Sequence, residues 1–318
     1  MSSNRELRGV LNRPPSLATS PSAEVLRRLE LTITRRLDGI LQGDYRGLVP
    51  GHGSDLGETR EYQPGDDVRR MDWNVTARLR TPHIRQTIAD RELETWVLTD
   101  LTASLGFGTA ECEKRDLAVA AVAAVGFLTA RGGNRVGAVT MEAGHLATIP
   151  ARSGRVNLQA LLHRVIEAAR EERAGTADLE AAIRRVGATM RRRGLAVIVS
   201  DFLDRSPWER PLRALAAHHE VLAVEVVDPR ELELPDIGVV RLVDPESGAQ
   251  LEVQTANAKL RQRYAARAAE QRAEIARRIR AAGADHLVLR TDRDWLVDLV
   301  QFVARRRERI DALTRVRP

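Results

Sequence analysis

With 318 residues, 43% of them hydrophobic and 30% charged, the chain is too apolar for intrinsic disorder and long enough for one large α/β domain with an appended segment. The net charge of +6 comes from 50 basic residues against 44 acidic ones and forms no concentrated basic arm, so it does not argue for nucleic acid. The single cysteine, Cys112, excludes an internal disulfide and a multi-cysteine zinc site and fits a reducing, cytoplasmic setting.

The opening residues 1–21 are rich in Pro and Ser and lack the apolar stretch of a signal peptide, so they read as a flexible leader. Apolar residues at helical spacing predict a helix over 23–41, with Ser22 as its N-cap. Residues 43–91 show no sustained periodicity but are dense in Gly, Asp and Arg, with a turn at Pro64-Gly65, and are expected to form loops and short strands. We therefore divide the chain into a leader (1–21), an N-terminal helix with this segment (22–91) and an α/β domain (92–318). The segment is expected to pack on the α/β domain with Trp73 largely buried, an indole being a large apolar body.

From residue 95 strands and helices alternate. TWVLTD is followed by an apolar helix ending near Leu128, too short to cross a bilayer of about 20 residues and read as buried on all sides. NRVGAVTM and HLATIPA, joined by a turn at Glu142–Gly144, predict a hairpin with an antiparallel edge strand. Helices near 156–170 and 177–192, the strand LAVIVSD, a helix over 208–217 and the strand EVLAVEVVD follow. A second hairpin turns at Pro245–Gly248, and a helix over 255–282, the strand DHLVLR and a helix over 294–310 finish the chain. This alternation predicts βαβ units and a doubly wound, mostly parallel sheet.

In such sheets ligands bind beyond the carboxyl ends of the strands. Asp100 ends one strand, at a tip expected to face solvent, and Asp201 ends another. The spacing Asp100-x-Thr102-x-Ser104 lets a loop turn one carboxylate and two hydroxyls toward one point, a hard-oxygen set that suits Mg²⁺. Thr176, in a loop between helices, adds a hydroxyl. An Asp after a strand is also a common N-cap, so the triplet alone decides nothing.

Together, Asp100, Thr102, Ser104, Thr176 and Asp201 resemble the metal-ion-dependent adhesion site of von Willebrand factor A domains, with Thr102 where the first Ser is usual. Residues 51–78, GHGSDLGETREYQPGDDVRRMDWNVTAR, resemble the signature of the bacterial domain-of-unknown-function 58 family. The matching positions are Arg60, Tyr62, Pro64, Gly65, Asp66, Asp67, Arg69, Asp72, Trp73, Ala77 and Arg78, while Asp55-Leu56 stand where Glu-Phe is usual. Signature and A-type domain span roughly 43–228. The resemblance implies a von Willebrand factor A-like fold, a bound Mg²⁺ that bridges to a partner carboxylate, and action with a MoxR-type AAA+ ATPase in assembly or maturation of protein complexes. Many members of the resembled family carry membrane helices ahead of the signature, and none is legible here.

Two other readings stay open. Asp66, Asp67 and Asp72, interleaved with Arg60, Arg69, Arg70 and Arg78, form either a network pinning the segment or, with Asp100 and Asp201, a metal-dependent phosphoester hydrolase site. His52 and His83 stand isolated and lend the enzyme no base. Arg191–Arg193 and Arg305–Arg309 would have to cluster with stacking aromatics for a nucleic-acid binder; they read instead as solvated faces.

Overall fold

The computed structural model describes residues 13–41, 59–63, 68, 71–85, 93–108, 112–130, 133–171, 178–243 and 248–315. The chain divides into two compact units, one of residues 1–49 with 93–318 and one of residues 50–92.

The first unit opens with α1 (Ser22–Leu41). Val25, Leu29 and Ile33 recur every four residues, so one stripe of the helix is buried in the same apolar cluster as the central helix of the domain. Our division placed this helix with the segment that follows, and the structure corrects it: a stripe that needs covering is covered by the α/β core. Ser22 is the first residue of the helix, and its hydroxyl donates to the Glu167 carboxylate.

The sheet is built from β3 (Glu94–Asp100), β4 (Arg135–Glu142), β5 (His145–Arg152), β6 (Gly194–Ser200), β7 (Glu220–Val227) and β10 (Asp285–Arg290). Their order is β10-β7-β6-β3-β4-β5, with every pairing parallel except that of β4 with β5. The predicted hairpin is therefore the antiparallel edge. β3 and β6 are buried along their whole length, as central strands covered on both faces must be.

One face carries α1, α3 (Lys114–Ala130), α4 (Arg155–Arg170) and α8 (Trp295–Arg315); the other carries α5 (Leu179–Thr189), α6 (Glu209–His218) and α7 (Ala258–Ala281). α3 is buried almost throughout, as its Ala- and Val-rich run predicts. A side chain at Gly126 would stand 2.7 Å from Leu158 Cδ1, so glycine lets α3 and α4 approach closely. The second hairpin forms its own two-stranded sheet, β8 (Val239–Val243) with β9 (Gln250–Gln254). Among the described residues no helix is long and apolar enough to cross a membrane.

In the second unit, β1 (Thr59–Glu61) pairs antiparallel with β2 (His83–Arg85), and α2 (Trp73–Leu79) lies between them in sequence. Asp72 caps α2, its Oδ1 accepting from the N–H groups of Asn74 and Val75 at 3.1 and 3.2 Å. Trp73 is 70% exposed, against our expectation of burial. The cause is local: no residue of α2 is buried, and Ile84 is the one buried apolar side chain among the described residues of this unit, so these residues offer no core for an indole to enter.

Two outcomes test this description. Leu29→Ala should destabilise the protein by about 2–5 kcal/mol, a cavity in the core, whereas Trp73→Ala should change it by less than about 0.5 kcal/mol; urea unfolding of both variants checks the pair. The second concerns Asp116 on α3, whose Oδ1 accepts from Leu17 N–H at 2.8 Å. Burial pushes its carboxyl up from 3.8 to about 6, against the lowering effect of that bond. Because the folded value lies above the unfolded one, this group's contribution is full below about pH 4 and lost as pH rises through about 6. Asp116→Asn should remove that part of the slope in unfolding midpoints measured across this range.

Candidate functional site

The chain runs β3, β4, β5 outward on one side and then returns to the middle to lay down β6, β7 and β10 on the other. The reversal falls between β3 and β6, and the helices that follow them, α3 and α6, lie on opposite faces of the sheet, the place where ligands bind in such folds. Asp100 closes β3 and Asp201 directly follows β6, so the two predicted acids stand at this switch point. The short 3₁₀ turn Ala103–Gly106 carries Ser104 just after Thr102.

Asp100 Oδ1 accepts from Thr102 N–H at 3.0 Å and from Thr102 Oγ1 at 2.7 Å. Thr102 Oγ1 lies 3.2 Å from Ser104 Oγ. Asp100 Oδ2 accepts from Ser200 Oγ at 2.7 Å, which ties the tip of β3 to the tip of β6. Ser200 Oγ in turn accepts from Phe202 N–H at 3.1 Å. The backbone at Phe202 has φ 55°, a strained conformation for a non-glycine residue, and its ring packs edge-on against Trp208 at 5.3 Å. Strain at the β6 tip is thus held by an aromatic pair and a hydroxyl.

Asp100, Thr102 and Asp201 are each only 2% exposed, so Asp100 does not face solvent as expected; Ser104 is half-buried. Asp201 meets Lys114, the first residue of α3, which is itself 1% exposed. Its ammonium donates to Asp201 Oδ2 at 2.9 Å and to Glu231 Oε1 at 2.5 Å. Asp201 Oδ1 accepts from Leu203 N–H at 3.1 Å. Arg272 on α7 donates to the Asp201 carbonyl at 3.0 Å, to Glu225 at 3.0 Å and to Glu231 at 2.8 Å, and His286 Nε2 lies 2.7 Å from Glu225.

The electrostatics follow from this placement. Burial and the neighbouring Asp201 push the Asp100 carboxyl up to about 6, against the opposing hydrogen bonds of Ser200 and Thr102. Burial would also raise Asp201, but the Lys114 ammonium dominates and holds it below the ordinary carboxylate range. For Lys114 burial alone would lower the value; Asp201 and Glu231 reverse that and raise it. The buried pair is charged.

These contacts decide how a divalent cation would fare. Hydrogen bonds link Asp100, Thr102 and Ser104, Asp201 stands at the neighbouring strand tip next to Ser200, and Thr176 lies outside the described residues. Yet all four carboxylate oxygens of Asp100 and Asp201 already accept hydrogen bonds, and Asp201 is bonded to a cation. Among the described residues no group of three or more His, Cys, Asp or Glu is arranged to hold a metal. As the side chains stand, the site does not fit Mg²⁺.

The signature residues belong to the second unit. Tyr62 donates its backbone N–H to the Pro82 carbonyl at 2.8 Å, Asp72 is a helix cap, and Trp73 and Arg78 are exposed. Gly65, Asp66, Asp67 and Arg69 lie outside the described residues, as does the Arg60 side chain. Sequence reasoning missed Lys114, Ser200, Glu225, Glu231, Arg272 and His286. Two had visible signals: a lysine heading an otherwise apolar helix, and a glutamate inside the apolar strand EVLAVEVV.

The model of a family described as "Protein of unknown function DUF58" matches residues 58–274, starting later than the 43–228 we expected and reaching into α7, where Arg272 lies. The uncharacterized protein Rv1480 of Mycobacterium tuberculosis is 56% identical over 285 residues, which covers 90% of either chain. The uncharacterized protein Mb1516 of Mycobacterium bovis has the same identity and coverage. Among solved structures, the conserved hypothetical protein BatB from Bacteroides thetaiotaomicron is 14% identical over 68% of this chain and 99% of its own, with a TM-score of 0.41. The VWA domain of SpRpn10 is 12% identical over 66% of this chain and 94% of its own, with a TM-score of 0.39. At those scores the doubly wound architecture rests on the strand order described above. By the family match and the mycobacterial relatives, this chain belongs to the DUF58 family.

Proposed function

We propose that the chain is a non-catalytic protein-binding module that docks a partner on the rim of the β3–β6 switch point. One observation carries this reading: the acids at the strand tips are buried and committed to internal donors, so neither Asp100 nor Asp201 is available to activate water or protonate a leaving group. What the loop after β3 offers to the outside is the half-buried Ser104, the exposed Gly106 and the exposed ring of Phe107. A small polar and aromatic rim on rigid strand ends suits recognition of another protein. The family resemblance makes a MoxR-type AAA+ ATPase the first partner to test. A Mg²⁺ bridge through Thr102 and Ser104 forms no part of this reading, because Asp201 is already paired with Lys114.

The test replaces rim residues and leaves the buried network alone. In pull-down with the MoxR-type ATPase of the same genome, Ser104→Arg and Phe107→Ala should each weaken retention by about tenfold, roughly 1.4 kcal/mol, with melting temperatures close to that of the wild type. Retention equal to wild type in both would contradict the proposed surface. Hydrolysis of a model phosphoester by the purified chain, lost in Asp100→Ala, would favour the hydrolase reading instead.

A further inference from the structure

We propose that the ammonium of Lys114 is the resident cation of the strand-tip site, standing in for a divalent metal ion, so that the wild-type site is complete without metal and accepts a metal only when Lys114 is removed. The inference does not depend on whether a partner docks at the rim.

The position of Lys114 is what demands an explanation. Lysine is almost never fully buried unless paired, and this one is among the largest fully buried side chains of the protein. It also heads α3, at the helix end where the macrodipole repels a cation. Neither burial nor the dipole favours a lysine there. The two carboxylates that meet its Nζ do, Asp201 at 2.9 Å and Glu231 at 2.5 Å. Those acids come from the tip of β6 and from the 3₁₀ turn Pro229–Glu231 after β7, so the ammonium clamps three elements at the switch point. A bound metal does the same work in a doubly wound site by gathering oxygens from separate loops.

The charges make the same point. Lys114 joins Asp201 to Glu231, Arg272 joins Glu231 to Glu225, and Glu225 also meets His286. Without Lys114, the Asp201 carboxylate would keep no ion pair among these contacts, since Arg272 bonds its carbonyl and pairs with Glu225 and Glu231. The position vacated by Nζ would have carboxylate oxygens on two sides, Glu231 at 2.5 Å and Asp201 at 2.9 Å; the first lies within the roughly 2.3–2.6 Å of Ca²⁺ coordination, the second would have to close in, and both are longer than Mg²⁺ takes. With Lys114 present, a dication at Asp201 would have to displace a buried, doubly bonded ammonium.

The experiment is thermal melting of the full chain, in EDTA and in excess Mg²⁺ or Ca²⁺, for wild type, Lys114→Met and Lys114→Met with Asp201→Asn. The wild type should melt at the same temperature in all three solutions. Lys114→Met should melt well below it in EDTA, because a buried carboxylate has lost its partner, and should regain several degrees with Ca²⁺ or Mg²⁺. The double variant should recover much of the loss in EDTA and respond less to cation. A wild type stabilised by either cation, or a Lys114→Met variant that melts like wild type or ignores cations, would overturn the proposal. Should Lys114→Met fail to fold, titration of the wild type with Mn²⁺ followed by electron paramagnetic resonance decides: free Mn²⁺ throughout is expected, and saturable binding would overturn it. Because these measurements use the chain alone, they can fail while the partner-binding surface holds, and the reverse.

Discussion

Two carboxylates placed at the ends of neighbouring parallel strands and sealed from water cannot both stay charged without a cation between or beside them. Everything distinctive about this site answers that constraint. Burial and Asp201 push Asp100 up to about 6, and the hydroxyl and amide donors of Thr102 and Ser200 oppose that rise. Asp201 takes the charged solution, and the lysine that makes it possible is carried in by α3, the most deeply buried helix of the domain. Arg272, reaching across from α7, extends the same balance to Glu225 and Glu231.

The fold supplies the rigidity that such a network needs. β3 and β6 are flanked by strands on both sides and by helices above and below, so their tips are fixed to within the play of a packed core. The small side chains of α3 let it lie against the sheet and against α4, and this closeness brings the head of the helix over the switch point. Breaking one member of a buried charged network costs several kcal/mol, whereas a surface pair contributes little. The strand-tip charges are therefore structural elements as much as a candidate recognition site.

Much of this was legible in the sequence because it is written in local patterns. Alternating apolar runs and turns marked the strands, the Glu142–Gly144 turn marked the antiparallel edge, and the spacing of Asp100, Thr102 and Ser104 marked a loop that turns its oxygens toward one point, though not that Thr102 would donate to Asp100 itself. The partner of Asp201 was not legible, because Lys114 lies 87 residues away and looks like any helix-opening lysine until the sheet order is known. The exposure of Trp73 escaped prediction for a related reason: an indole implies burial only where a core exists to receive it, and periodicity in residues 43–91 is too weak to say whether one does. The membership of α1 in the α/β core was hidden behind chain order, since the segment that follows it in sequence belongs to a different unit.

The central claim, that a lysine holds the place of a metal ion at this switch point, is tested most directly by crystals of the wild-type protein grown in millimolar Mn²⁺ and measured at the manganese absorption edge. The account predicts continuous density for the Lys114 side chain between Asp201 and Glu231, and no anomalous peak among Asp100, Thr102, Ser104 and Asp201. An anomalous peak coordinated by those residues, with Lys114 turned away, would contradict it.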